Sequence, residues 1–158
     1  MPDSFAPGEI VEIAVQIEIN GRDFYEIVAK HSKNKKAKDV FLYLASEEAE
    51  HEKRFREILN TVKTYEPKEA YPEEYFAYMR SLADNRVFTG KEMGRETAKS
   101  VRGEKDAVDL GINAEKYSIE FYEGMKKLVS TKDKNAVDVI INEEKKHLDT
   151  LNGLKEGL

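Results

Sequence analysis

Four long segments of the chain carry apolar residues at the spacing of an amphipathic α-helix, and a glutamate interrupts each apolar stripe. The helices are predicted at about 9–30, 35–62, 104–129 and 132–152. The interrupting residues are Glu18, Glu48, Glu115 and Glu144. Glycine and proline are scarce, with nine and four residues in 158, which disfavours a fold of strands and turns. The sequence therefore predicts an all-α protein with acidic side chains in its core.

Four carboxylates in one core need neutralising charge, because an isolated buried carboxylate costs several kcal/mol or more. The stripes contain no lysine or arginine that could supply it. Two divalent cations would balance four carboxylates. Two histidines support this interpretation, since His51 and His147 each follow a stripe glutamate by three residues and so share its helix face. One Glu from each of two helices and Glu-x-x-His from the other two is the ligand pattern of two-metal four-helix bundles.

The two halves of the chain repeat this pattern. Glu18 and Glu115 are both followed at the sixth and seventh positions by Phe-Tyr, which places Tyr25 and Tyr122 in equivalent positions. Thirty positions separate Glu18 from Glu48 and twenty-nine separate Glu115 from Glu144. Each half is thus predicted to be one helical hairpin that contributes one Glu and one Glu-x-x-His.

A crossover over about 63–103 must join the two hairpins. If helices two and three are parallel, the crossover must span roughly 40 Å, which is the length of a helix of about 27 residues. Pro67 and Pro72 are predicted to end the second helix, and 73–83 reads as a short helix. The aromatic residues of this segment, Tyr71 among them, predict a packed crossover. We expect one domain over 1–158, an antiparallel four-helix bundle with this crossover between helices two and three.

Local signals predict several helix ends. Thr89 and Glu92 form a candidate capping box for a second short helix in the crossover. Ser130 or Thr131 is a candidate N-cap for the last helix, and Gly153 a candidate C-cap.

Composition excludes several functional classes. The chain has no cysteine, which excludes disulfides, thiolate zinc sites and iron–sulfur clusters within it. A net charge of −5 gives no support to nucleic-acid binding. No apolar run approaches the length of a membrane span, and residues 1–7 lack the features of a signal peptide, so we expect a cytoplasmic protein that binds no membrane.

With these motifs the sequence resembles the ferritin-like di-iron carboxylate superfamily, and within it the rubrerythrin group. The resemblance runs from the first helix to the fourth. It implies that Glu48 and Glu144 bridge two metals, that Glu18 and His51 bind one of them, and that Glu115 and His147 bind the other.

The sequence departs from the rubrerythrin pattern in two respects. Ser118 stands where rubrerythrins typically carry an extra ligand glutamate, one turn after the third-helix Glu. Rubrerythrins also usually carry a rubredoxin domain with cysteine-ligated iron, which a chain without cysteine cannot form. The resemblance therefore implies a separate electron donor, such as a rubredoxin-type protein.

The expected cofactor is a pair of iron ions, with Mn²⁺ or Zn²⁺ as substitutes, because the ligand set is rich in oxygen and has two imidazoles. The expected activity is oxidation of a di-Fe(II) centre by peroxide or O₂, in oxidative-stress defence or iron handling. Tyr25 and Tyr122 would either donate hydrogen bonds to the ligands or only pack in the core. We expect a homodimer by default.

Three alternatives stay open. One is iron binding or storage without turnover, a second is a structural bundle stabilised by metal, and a third is a metal-free bundle with a hydrogen-bonded polar core. Two features fall outside all of these interpretations. His31 is expected to be an exposed residue at the end of the first helix, and the basic run over 33–38 to be a solvated turn.

Overall fold

The computed structural model describes residues 7–62, 73–84 and 88–158, and this part of the chain is helical and contains no strand. The helices are α1 (Pro7–His31), α2 (Lys35–Val62), α3 (Glu73–Ala83), α4 (Met93–Lys99), α5 (Glu104–Met125) and α6 (Thr131–Glu156). A short 3₁₀ helix, Lys126–Leu128, follows α5. The all-α prediction is confirmed, and the predicted bounds of α2 and α3 match those of the structure.

The four long helices pack as two hairpins, α1 against α2 and α5 against α6, and contacts of α1 with α5 and of α2 with α6 close the bundle. Two buried apolar clusters fill its interior. On α1 the first cluster extends to Ile17 and the second begins at Phe24. The other long helices also pass from one cluster to the other, and on each of them the stripe glutamate lies in the interval. The acids therefore occupy a polar layer between two apolar regions.

The crossover is fastened to α1 by a buried asparagine that sequence analysis did not single out. The side-chain amide of Asn20 donates to the carbonyl oxygens of Phe88 and Gly90, both at 2.7 Å, and its carbonyl oxygen accepts from the Gly94 amide at 3.2 Å. A Cβ at Gly94 would lie 2.0 Å from the Asn20 backbone oxygen, so only glycine fits this approach. These contacts hold α4 against α1, two residues after Glu18.

The predicted capping box is wrong. Helix α4 begins at Met93, and Glu92 precedes it with a φ of 63° and without a capping hydrogen bond from its side chain. The Thr89 hydroxyl donates to the Ala83 carbonyl instead, which links the start of this turn to the end of α3. Pro67, Tyr71 and Pro72 lie outside the described residues.

Several ends of the long helices differ from the predicted bounds, most at the C-termini of α5 and α6. Helix α6 begins after Ser130, whose hydroxyl accepts the Asp133 amide, as predicted. Gly153 does not end it, because the buried Leu154 continues the stripe and the helix runs to Glu156. Helix α5 ends at Met125 rather than Val129, where the chain is extended.

No helix in the described part of the chain is long and apolar enough to cross a membrane.

Candidate metal centre

The polar layer brings all six predicted ligand residues together in two overlapping groups. One group is Glu18, Glu48, His51 and Glu144, and the other is Glu48, Glu115, Glu144 and His147. Within each group, one nitrogen or oxygen atom from every residue lies within 4.8 Å of the others. All six side chains are buried, with at most 3% of their surface exposed. We call them the six-residue cluster.

Glu48 and Glu144 belong to both groups and therefore lie at the middle of the cluster. The two histidines approach them from opposite halves of the chain, with stacked rings whose centroids are 5.6 Å apart. The Nδ1 atom of His51 lies 2.8 Å from Glu144 Oε1, and that of His147 lies 3.4 Å from the same oxygen. Both imidazoles thus point Nδ1 into the cluster.

The two equivalent tyrosines form hydrogen bonds with the remaining two glutamates. In each case the tyrosine belongs to one half of the chain and the glutamate to the other. The Tyr25 hydroxyl donates to Glu115 Oε1 at 2.8 Å, and the Tyr122 hydroxyl donates to Glu18 Oε1 at 2.6 Å. Both rings are almost fully buried, so the tyrosines pack in the core and hydrogen-bond as well. Burial and the adjacent carboxylates raise the pKa of both hydroxyls well above the ordinary tyrosine value, which keeps them protonated donors.

The outer nitrogens of the two histidines have different partners. His51 Nε2 lies 2.6 Å from Glu143 Oε2, and Arg54 binds the same carboxylate at 3.2 and 3.3 Å. His147 Nε2 lies 3.5 Å from Glu47 Oε1 and forms no hydrogen bond with a described residue. A hydrogen bond at Nε2 fixes the tautomer that leaves the Nδ1 lone pair free for a metal.

Glu47 and Glu143 were not among the residues predicted to belong to the site. Both directly precede a predicted ligand, so the repeated motif is Glu-Glu-x-x-His rather than Glu-x-x-His. The recurrence of a glutamate directly before both Glu-x-x-His motifs was the sequence signal that could have identified these two residues.

The burial of the acids opposes their ionisation. Desolvation and the charge of Glu144 raise the pKa of Glu18, Glu48 and Glu115 above the ordinary value. Glu144 is the exception: burial would raise its pKa, but the close approach of the two histidines dominates and lowers it. The metal-free cluster therefore retains protons that cations would displace.

The histidine pKa values move upward despite burial. Desolvation would lower the pKa of His51, but the charge of Glu18 and the approach of Glu144 outweigh it. At His147, contacts with Glu115, Glu144 and Glu48 likewise outweigh desolvation and raise the pKa. In the metal-free protein these shifts favour the imidazolium forms, whose positive charge lies among the carboxylates.

The donor atoms in the cluster fit a pair of metal ions. Among the described residues, six buried atoms of the cluster have no hydrogen-bond partner. One is the outer His147 Nε2, and the five that face the interior of the cluster are Glu18 Oε2, His51 Nδ1, Glu115 Oε2, Glu144 Oε1 and His147 Nδ1. Buried polar atoms are normally paired, and these are carboxylate oxygens and imidazole nitrogens, the donors that iron and manganese use. The five inward atoms left without hydrogen bonds are thus the ones that metal coordination would satisfy.

Ser118 faces the cluster from α5 without approaching it as a ligand. Its hydroxyl donates to the Ala114 carbonyl at 2.9 Å. Beside it is a cavity of about 10 Å³, also lined by Gly21, Glu48 and Glu115. This is about the volume that one water molecule needs. A small space therefore lies where the rubrerythrin pattern would place another carboxylate.

Comparison with known proteins agrees with this fold. A crystal structure from Thermotoga maritima, described as that of a ferritin-like diiron-carboxylate protein, is similar over 99% of this chain and 98% of its own, with a TM-score of 0.69 and 24% sequence identity. At that identity the match shows the fold alone. A search of curated proteins found no significant match. The family model for rubrerythrin matches residues 9–155, and the chain therefore belongs to the rubrerythrin family.

Proposed function

We propose that the six-residue cluster binds two iron ions and that the protein is an oxidoreductase in which peroxide or O₂ oxidises the di-Fe(II) form. The observation that carries this proposal is that the two four-residue groups share Glu48 and Glu144. Shared carboxylates favour two adjacent ions over two separate sites. We assign Glu18 and His51 to one metal position and Glu115 and His147 to the other.

Two Fe(II) ions would supply the two electrons that cleave the O–O bond of a peroxide. The surrounding residues would keep the ligands in place for this reaction. Tyr25 and Tyr122 restrain Glu115 and Glu18 through their hydrogen bonds, and the two apolar clusters exclude bulk water on either side.

The reductant would be a separate protein. The 158 residues contain no cysteine, so they hold no cysteine-ligated iron that could pass electrons to the cluster. A rubredoxin-type protein is the donor that the family relationship suggests. We also propose a homodimer and a cytoplasmic location, since both suit a protein of this family.

Metal analysis tests the site. Protein purified from iron-supplemented anaerobic cells should hold about two metal ions per chain. Glu48→Ala and Glu144→Ala should each lower that content sharply, whereas Glu50→Ala, on the exposed face of α2, should retain it. Circular dichroism shows whether each variant remains helical. Unchanged metal content in both ligand variants would refute the two-metal assignment.

Stopped-flow mixing tests the activity. The anaerobic Fe(II) protein should be oxidised faster by peroxide than by O₂, and the reverse order would favour a ferritin-like reaction. Uptake of far more than two Fe(II) ions per chain would indicate storage. Lack of reaction with either oxidant would leave a structural metal site.

A further inference from the structure

A second cavity lies away from the six-residue cluster, where the end of α1 meets the end of α4 and the start of α5. Its volume is about 580 Å³, and it is partly open to solvent. Ligand pockets of proteins commonly enclose about 300–1,000 Å³. None of the six cluster residues lines it, so the proposed iron chemistry does not account for it.

The floor of this cavity is apolar. It is formed by the buried residues Val28, Phe41, Ala98 and Ala107, which come from four different helices, with Ile27 and Val101 beside them. A Cβ at Gly103, on the wall, would meet no atom within 4 Å, which shows how open the space is. An apolar floor of this kind suits a hydrocarbon group, since burial of apolar surface favours binding.

The rim of the cavity is basic. His31, Lys33 and Lys99 line it, and the first two belong to the features that the iron site left without a role. The carboxylate at the rim, Glu104, already accepts hydrogen bonds from the Lys33 and Asn34 amides and the Ser32 hydroxyl. These bonds lower the Glu104 pKa and hold the turn after α1.

Glu104 offsets one of the two lysine charges, and Glu96 offsets little of the other. Lys99 is 70% exposed and lies 3.6 Å from the equally exposed Glu96, a surface pair of small energetic value. Lys33 forms no salt bridge with any described residue. A negatively charged group at the rim would therefore meet two ammonium groups and an imidazole, against one carboxylate, Glu104, whose oxygen Oε1 is turned to the Lys33 and Asn34 amides.

We propose that this pocket binds an amphipathic carboxylate, a medium-chain fatty acid, with its alkyl chain on the apolar floor and its carboxylate at Lys33 and Lys99. The charge at the rim selects the anion and the floor selects the chain. Fatty-acid binding at this pocket requires no metal. The pocket could therefore fail to bind a fatty acid while the cluster binds iron, and the cluster could fail to bind iron while the pocket binds a fatty acid.

Calorimetric titration of the full chain with dodecanoate, below the concentration at which it forms micelles, tests the proposal. We expect one saturable site per chain. Dodecyltrimethylammonium, with the same alkyl chain and the opposite charge, should bind at least tenfold more weakly. This comparison uses the wild-type protein and so does not depend on the folding of any variant.

Two matched charge reversals locate the carboxylate. Lys33→Glu with Lys99→Glu should weaken dodecanoate binding at least tenfold. Lys36→Glu with Lys38→Glu makes the same change in net charge at exposed positions that do not line the pocket. This control should alter the affinity for dodecanoate by less than about twofold. Val101→Trp, which fills the space from a half-exposed position, should abolish binding.

Four binding results would overturn the proposal. They are absence of saturable dodecanoate binding, equal affinity for the cationic amphiphile, equal losses in the two double variants, and undiminished binding by Val101→Trp. A change from dimer to monomer on Val101→Trp in size-exclusion chromatography would also overturn it, since the pocket would then be covered by a second copy of the chain.

Discussion

Glu143 and Glu47 occupy equivalent positions in the two halves of the chain, yet they hold their histidines differently. Glu143 contacts His51 Nε2 at 2.6 Å and is itself bound by Arg54. Hydrogen bonding to His51 and the charges of His51 and Arg54 outweigh partial burial and lower the Glu143 pKa, which keeps this carboxylate ionised. Glu47 lies 3.5 Å from His147 Nε2 and accepts a hydrogen bond from the half-exposed Tyr43.

This difference predicts that the two metal positions are unequal. Carboxylates that hydrogen-bond to a ligand histidine typically contribute 10- to 100-fold to metal affinity, or about 1.4–2.7 kcal/mol. Glu143→Gln replaces this carboxylate by a neutral amide and should weaken the position served by His51 by that factor. Glu47→Gln removes no hydrogen bond to His147, so its position should weaken by less than about threefold.

Calorimetric titration of the metal-free protein with Zn²⁺, which does not react with O₂, measures both positions. We expect two binding steps in the wild-type protein, with the tighter step lost or weakened in Glu143→Gln and largely retained in Glu47→Gln. Glutamine preserves the volume of glutamate, and thermal melts of the two variants check that both fold. Equal losses in the two variants, or a larger loss in Glu47→Gln, would refute the reasoning.

Asn20→Ala removes the partner of three backbone groups in the crossover and should lower the free energy of unfolding by about 2–4 kcal/mol in urea titrations; Gly94→Ala, which forces a 2.0 Å contact, should lower it at least as much. Tyr25→Phe and Tyr122→Phe should each weaken Zn²⁺ binding about tenfold, and affinities equal to wild type would mean that both rings only pack. The metal-free protein should become less stable as the pH rises from about 5 to 9. The pKa values of three acids and two histidines in the cluster are raised by folding, so the unfolded chain releases these protons at lower pH than the folded chain. Thermal melts across this range check the sign, and a melting temperature that rises with pH would contradict it.

The fold was largely predictable because the apolar stripes of this chain are long and regular. Their period specified four helices, and the length of 63–103 specified a crossover rather than a tight loop. The errors occurred where one residue signalled an end that packing overrode. Glycine is common just after a helix, which made Gly153 a candidate end. Leu154 buries its side chain in the core, however, and α6 continues past Gly153 to Glu156. Thr89 and Glu92 have capping-box spacing, but Glu92 adopts a left-handed conformation before α4.

The composition of the candidate site was predictable, but its connections were not. Six residues could be chosen because each interrupts an apolar stripe. Which oxygen each tyrosine contacts depends on how the hairpins are rotated against one another, and no spacing within one helix encodes that rotation. Tyr25 accordingly contacts Glu115 of the other half rather than Glu18 of its own helix. The role of Asn20 could not be predicted from the sequence either, because its partners are backbone groups about seventy positions away.

The contacts across the halves explain why neither hairpin can complete the cluster. The first hairpin supplies Glu18 and His51, but the hydrogen bonds that orient them come from Tyr122 and Glu143 of the second. The second supplies Glu115, which Tyr25 of the first hairpin holds. The docked bundle therefore assembles the cluster, and ions bound there would join the two hairpins through the shared Glu48 and Glu144. Metal binding and docking of the hairpins should be thermodynamically coupled, because the unfolded chain contains no such arrangement of ligands. The acids that weaken the metal-free core then become the groups through which metal stabilises the fold.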